Sequence, residues 1–90
     1  MRAEFEQEIA PGVYRQIIEI DGKYYPHKFS INSGNVTPID FWNRTGSGPL
    51  TEEGIKSLSP EFDSLKKAKN WMNSNPWNTW EERIQYETDL

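Results

Sequence analysis

The 90-residue sequence contains no cysteine, which excludes disulfide cross-links, a thiolate nucleophile and every cysteine-based zinc site. Histidine is nearly absent as well. His27 is the only imidazole, so any nucleophilic scheme that needs such a base has one ring to use. Long apolar runs are missing: residues 1–10 alternate charge with isolated apolar side chains, and nowhere do 18 consecutive apolar residues occur. No signal peptide and no membrane span are therefore expected, and the reading is a cytoplasmic protein. In that compartment the sequons Asn35-Val36-Thr37 and Asn43-Arg44-Thr45 count as chance matches.

Aliphatic side chains are also scarce. Apolar residues make up 34% of the chain, and four Trp, four Tyr and four Phe must supply much of the burial. Each buried ring removes about 150–250 Å² from water, on the order of 4–6 kcal/mol before entropy is subtracted. The formal charge is −4, which disfavours general binding to phosphate backbones. Charge comes in blocks: Glu4, Glu6 and Glu8; Glu52, Glu53, Glu61 and Asp63; Lys66, Lys67 and Lys69; and Glu81, Glu82, Glu87 and Asp89. Blocks of this kind usually mark solvated faces.

The residues predict one α+β domain over 1–90: a small antiparallel three-stranded β-meander packed against one main α-helix, with a short C-terminal helix or strand. Residues 1–12 are an N-terminal segment, 13–42 the meander, 43–50 a mobile loop and 51–90 the helical part. The strongest local signal is Asp21-Gly22 between two β-rich runs, the dipeptide of a type I′ hairpin. It places Ile20 opposite Lys23. One face then carries Tyr14, Gln16, Ile18, Ile20, Tyr25, His27, Phe29 and Ile31, and reads as core; the other carries Val13, Arg15, Ile17, Glu19, Tyr24, Pro26, Lys28 and Ser30. Pro26 has no amide proton and must point away from a ladder. A third strand is expected over 36–42, despite Pro38.

Thr51 is expected to cap a short helical turn reaching Leu58, and Asp63 or Ser64 to cap the main helix. In that helix Leu65, Ala68, Trp71 and Met72 share a face. Asn75-Pro76 closes it. For residues 80–88, Thr79-Trp80-Glu81-Glu82 fits a capping box, while Ile84 and Tyr86 alternate like a strand.

No catalytic constellation emerges, so no enzyme, cofactor or metal site is expected. His27 reads as a hydrogen-bonded sheet histidine, opposite Gln16 and, if the second turn closes symmetrically, Asp40. No two of the 14 carboxylates are marked as an acid/base pair. Thr45-Gly46-Ser47-Gly48-Pro49 superficially resembles a phosphate loop but lacks the Gly-Lys-Ser/Thr that meets phosphates, and Pro49 offers no amide.

The first functional expectation is a small acidic protein-binding module, of the inhibitor or adaptor type met among phage and mobile-element proteins that act on a host factor. Its contacts would be Trp77 and Trp80, beside the proline break, with Trp42 and Arg44, and its acidic segments would steer it to a basic partner surface. The same tryptophans have a plain alternative role, closing the core of a domain short of aliphatics. The second expectation is a nucleic-acid-binding domain using Arg15, Lys23, Tyr24 and Lys28 on the hairpin or Lys66, Lys67 and Lys69 on the helix.

Overall fold

A computed structural model describes residues 1–40 and 45–74. It contains β1 (Arg2–Ala10), β2 (Val13–Ile20), β3 (Lys23–Ser30), β4 (Asn35–Thr37), β5 (Gly48–Pro49), α1 (Glu52–Leu58) and α2 (Leu65–Asn73). The strands form one antiparallel sheet in sequence order.

The central hairpin follows from its turn. Asp21 and Gly22 take φ of 51° and 79°, the positive values a type I′ turn requires. Ile20 pairs with Lys23 and Gln16 with His27, in the expected register. Pro26 fits for a geometric reason. Its neighbour Tyr24 exchanges two main-chain hydrogen bonds with Phe62, at 2.9 and 3.0 Å, and Lys28 pairs with Thr37 of β4. Pro26 therefore lies in the gap between these two attachments, where the edge of β3 asks for no donor.

The architecture departs from a three-stranded meander on one main helix. Among the described residues the sheet has five strands and carries two short helices. Residues 1–12, expected as an N-terminal segment outside the meander, contain the longest strand among the described residues. It is joined to β2 through Pro11-Gly12, with Gly12 at φ 75°, the value that the third residue of a type II turn needs. Strand β4 stops at Thr37, before Pro38, and Pro38 to Asp40 lie outside any strand. Of the expected loop, Gly48–Pro49 instead pairs with β4.

A second correction concerns the faces. Both are covered. On one, Ile18, Ile20, Tyr25 and Val36 meet Ile55 and Leu58 of α1. On the other, Ile17 and Ile39 meet Ala68 and Met72 of α2, with Phe5, Tyr24, Phe62, Leu65 and Trp71 around them. The sheet is thus a middle layer with a helix on each side, which is how a chain with few aliphatics buries Ile17 and Ile18 together. Ile31, expected in the core, is 58% exposed.

Both helices begin as their caps dictate. Thr51 Oγ1 accepts from the Gly54 amide at 3.1 Å, and Ser64 Oγ from the Lys67 amide at 3.1 Å. Each satisfies one of the amides that a helix start leaves unpaired. Gly54 is forced by packing: a Cβ there would lie 2.2 Å from the Pro49 carbonyl oxygen.

Candidate functional site

Trp77, Trp80, Trp42 and Arg44, the aromatic and basic contacts expected from sequence, lie outside the described residues, as does the segment 80–88. The basic hairpin residues are placed. Lys23 is exposed, Arg15 and Tyr24 are half-buried, and Lys28 is buried, 4% exposed. Tyr24 packs into the α2-side core, and an Arg15 guanidinium nitrogen donates to Gln7 Oε1.

The helix lysines are more accessible. Lys66 and Lys67 are exposed, while Lys69 is half-buried with its Nζ 5.3 Å from the centre of the Phe5 ring. Lys67 is engaged with Asp63 at 3.0 Å. Leu65, Lys66, Lys69, Asn70 and Asn73 line a cavity of about 530 Å³.

His27 is fully enclosed, at 0% exposure. Its Nδ1 lies 3.0 Å from the Tyr25 carbonyl oxygen and its Nε2 3.0 Å from Gln16 Oε1. Gln16 in turn donates from Nε2 to Glu6 Oε1 at 2.5 Å. An ionised carboxylate only accepts, so Glu6 fixes the Gln16 amide with its oxygen toward the ring. Both imidazole nitrogens then face acceptors, which favours the charged ring. Burial opposes this more strongly and lowers the His27 pKa from 6.5 to about 4, against the smaller raising effect of the Tyr25 carbonyl. Near neutral pH the ring is uncharged and donates to one of the two oxygens.

Tyr25 is also buried, at 3% exposure. Its hydroxyl donates to Glu61 Oε1 at 2.7 Å, and its pKa is raised to about 12, first by burial and then by Glu61. Among the described residues no three His, Cys, Asp or Glu side chains group as metal ligands. No helix there is long and apolar enough to cross a membrane.

The feature that sequence reasoning missed is the outer edge of β1. Among the described residues this strand pairs only with β2. Glu6 and Glu8 are exposed and stand opposite Gln16 and Tyr14, so they share one face of the sheet. Both are held in place. Gln16 binds Glu6, while Glu8 Oε2 accepts from the Gly12 amide at 3.5 Å. The charge of Glu8, and a hydrogen bond to it, raise the Tyr14 pKa. Glu4 sits at a register shift between Ala3 and Phe5 and accepts from Arg2 Nε at 2.8 Å. The signal that marks this strand is the pair Pro11-Gly12, a turn dipeptide directly before the hairpin.

No protein-family model matches the chain, and no curated protein or solved structure matches it significantly.

Proposed function

We propose that the chain is a small acidic protein-binding module, an inhibitor or adaptor, that docks its β1 edge on a basic surface of a partner protein. One observation carries the reading: Glu6 and Glu8 project from an edge strand on one face, each held by a neighbour. Carboxylates so fixed lose little side-chain entropy on binding and steer a cationic partner from a distance. Trp77 and Trp80 are the aromatic contacts that the sequence adds. The phage or mobile-element setting rests on the acidic composition alone.

The test is a nuclease-treated pull-down with wild-type protein and with Glu6→Lys/Glu8→Lys, both verified as folded by far-UV circular dichroism. A dominant protein retained by the wild type and lost by the double variant, with association slowed by salt, supports the reading. Retention indifferent to the charge reversal overturns it. In the same assay Trp77→Ala or Trp80→Ala weakens retention without changing the spectrum.

A second reading, nucleic-acid binding, is favoured by the α2 groove, where Lys66 and Lys69 stand beside Asn70 and Asn73. It requires retention that disappears with nuclease and affinity that falls steeply with salt.

A further inference from the structure

The β1 edge offers more than charge. The two-residue turn at Asp21-Gly22 closes on a hydrogen-bonded pair, Ile20 with Lys23, and antiparallel pairs then alternate. Ile18, Gln16 and Tyr14 therefore turn their main-chain groups toward β3, while Ile17 and Arg15 turn theirs toward β1. On β1 the partners of Ile17 and Arg15 are Phe5 and Gln7, whose amides and carbonyls are spent on β2. Those of Glu6 and Glu8 point out of the sheet. Among the described residues, those that turn main chain away from β2 without a strand partner are thus the same two that present carboxylates.

We propose that β1 receives an extended basic segment of the partner as a sixth, antiparallel strand, with Lys or Arg at alternate positions opposite Glu6 and Glu8. This deepens the reading of a protein-binding module with a basic partner and rests on it. In such a pairing each residue opposite Glu6 or Glu8 exchanges both main-chain hydrogen bonds and places its side chain on the glutamate face, about 5 Å away between Cβ atoms. The intervening side chains fall on the opposite face beside Phe5 and Gln7. There Lys69 already covers the Phe5 ring, so those positions take uncharged residues. The recognised pattern is a cation, an uncharged residue, then a cation.

A second copy of the chain is not the occupant. Antiparallel pairing of β1 with itself about Glu6 sets Glu6 against Glu6 and Glu4 against Glu8, and like charges directly opposite are destabilising. A register displaced by one residue turns the glutamates to opposite faces and loses the hydrogen-bonding phase.

The probe is a capped, fluorescein-labelled peptide, Thr-Lys-Val-Lys-Val-Lys-Thr, titrated with the full chain at low salt and read by anisotropy. Three control peptides separate strand pairing from simple attraction: one with the lysines contiguous, one N-methylated at the lysine amides, one N-methylated at the valine amides. The alternating peptide is expected to bind saturably and to slow hydrogen exchange at the Glu6 and Glu8 amides. Methylation at lysine weakens binding by at least about tenfold, the worth of one or two main-chain hydrogen bonds, and methylation at valine leaves it within a few-fold. Contiguous lysines bind more weakly, and Glu6→Gln/Glu8→Gln weakens every peptide.

Equal binding of the lysine-methylated peptide, or no exchange protection at Glu6 and Glu8, overturns strand addition while leaving the acidic docking reading to the pull-down. Absence of binding by the alternating peptide at low salt also overturns strand addition. Loss of the pull-down's dependence on Glu6 and Glu8 overturns the parent reading separately.

Discussion

Acidification between pH 6.5 and 4 should cost this domain much of its stability through His27 alone. The ring is sealed from solvent, and burial holds its pKa down from 6.5 to about 4. Within that window the unfolded chain binds a proton at His27 that the folded chain refuses, so the free energy of unfolding rises with pH and falls as acid is added. At about 1.4 kcal/mol per pH unit, the full displacement corresponds to about 3 kcal/mol. Native domains have on the order of 5–15 kcal/mol in all. Below pH 4 both states are protonated and His27 contributes no further slope. Urea denaturation followed by far-UV circular dichroism at half-unit steps from pH 7.5 to 4 measures the curve. The same series on His27→Gln, which cannot titrate, should lack the His27 component. The imidazole signals of the wild type should show no titration near 6.5. Identical pH slopes in the two proteins, or an imidazole titrating at its ordinary pKa, would refute the reasoning.

Tyr25 has the opposite sense. With its pKa raised from 10 to about 12 by burial and by Glu61, its contribution is intact below pH 10 and is lost as pH rises through 12, so ultraviolet titration should show one phenol ionising near 12. Tyr25→Phe should cost about 1 kcal/mol, the usual net worth of one hydrogen bond, because the exposed Glu61 carboxylate can turn to water; a cost near zero in urea denaturation would deny the bond. Gly54→Ala should destabilise by about 1–3 kcal/mol, reversing the gain a helical Gly→Ala change normally brings, because its Cβ would meet the Pro49 carbonyl at 2.2 Å; a raised melting temperature would show that the β5 to α1 connection yields. Ser64→Ala should cost about 1 kcal/mol by leaving the Lys67 amide uncapped, whereas Ser64→Asp should retain stability in the same thermal assay.

Local chemistry was legible where one dipeptide or one side chain decides the geometry. Asp21-Gly22 fixed the central register, and Thr51 and Ser64 fixed two helix starts, because a turn or cap is settled within four residues. What failed was reading layers from alternation. A sheet solvated on one side alternates apolar and polar residues; here Ile17 and Ile18 are adjacent and both buried, which is the pattern of a sheet covered on both sides. Strand β1 was missed because its exposed edge carries charges that resemble a solvated segment. Its pairing depends on Pro11-Gly12 folding it back on β2, and the same turn brings Glu6 to Gln16. The residue that ties the candidate edge to the buried histidine is thus ten positions away from its partner, a distance at which composition says nothing.

Charges on an edge strand ordinarily protect it from aggregation, and by that logic Glu6 and Glu8 are only guards. Guarding alone, however, is satisfied by charge in any arrangement, including mobile lysines or a charge at the register shift where Glu4 sits. It does not require that the residues with outward main chain be the ones with fixed carboxylates. Holding them through Gln16 and Gly12 spends hydrogen bonds that a solvated guard would make to water. Nor do two uses conflict: repulsion between like strands and attraction to a cationic strand arise from the same two charges, and specificity is the difference between them. Each like-charged pair disfavours self-pairing by about 0.2–1 kcal/mol, and each opposite pair gains a similar amount. Two positions therefore separate self from partner by about 1–4 kcal/mol, roughly one to three powers of ten in affinity. That margin suffices to keep an edge open for a basic strand while the chain itself stays apart.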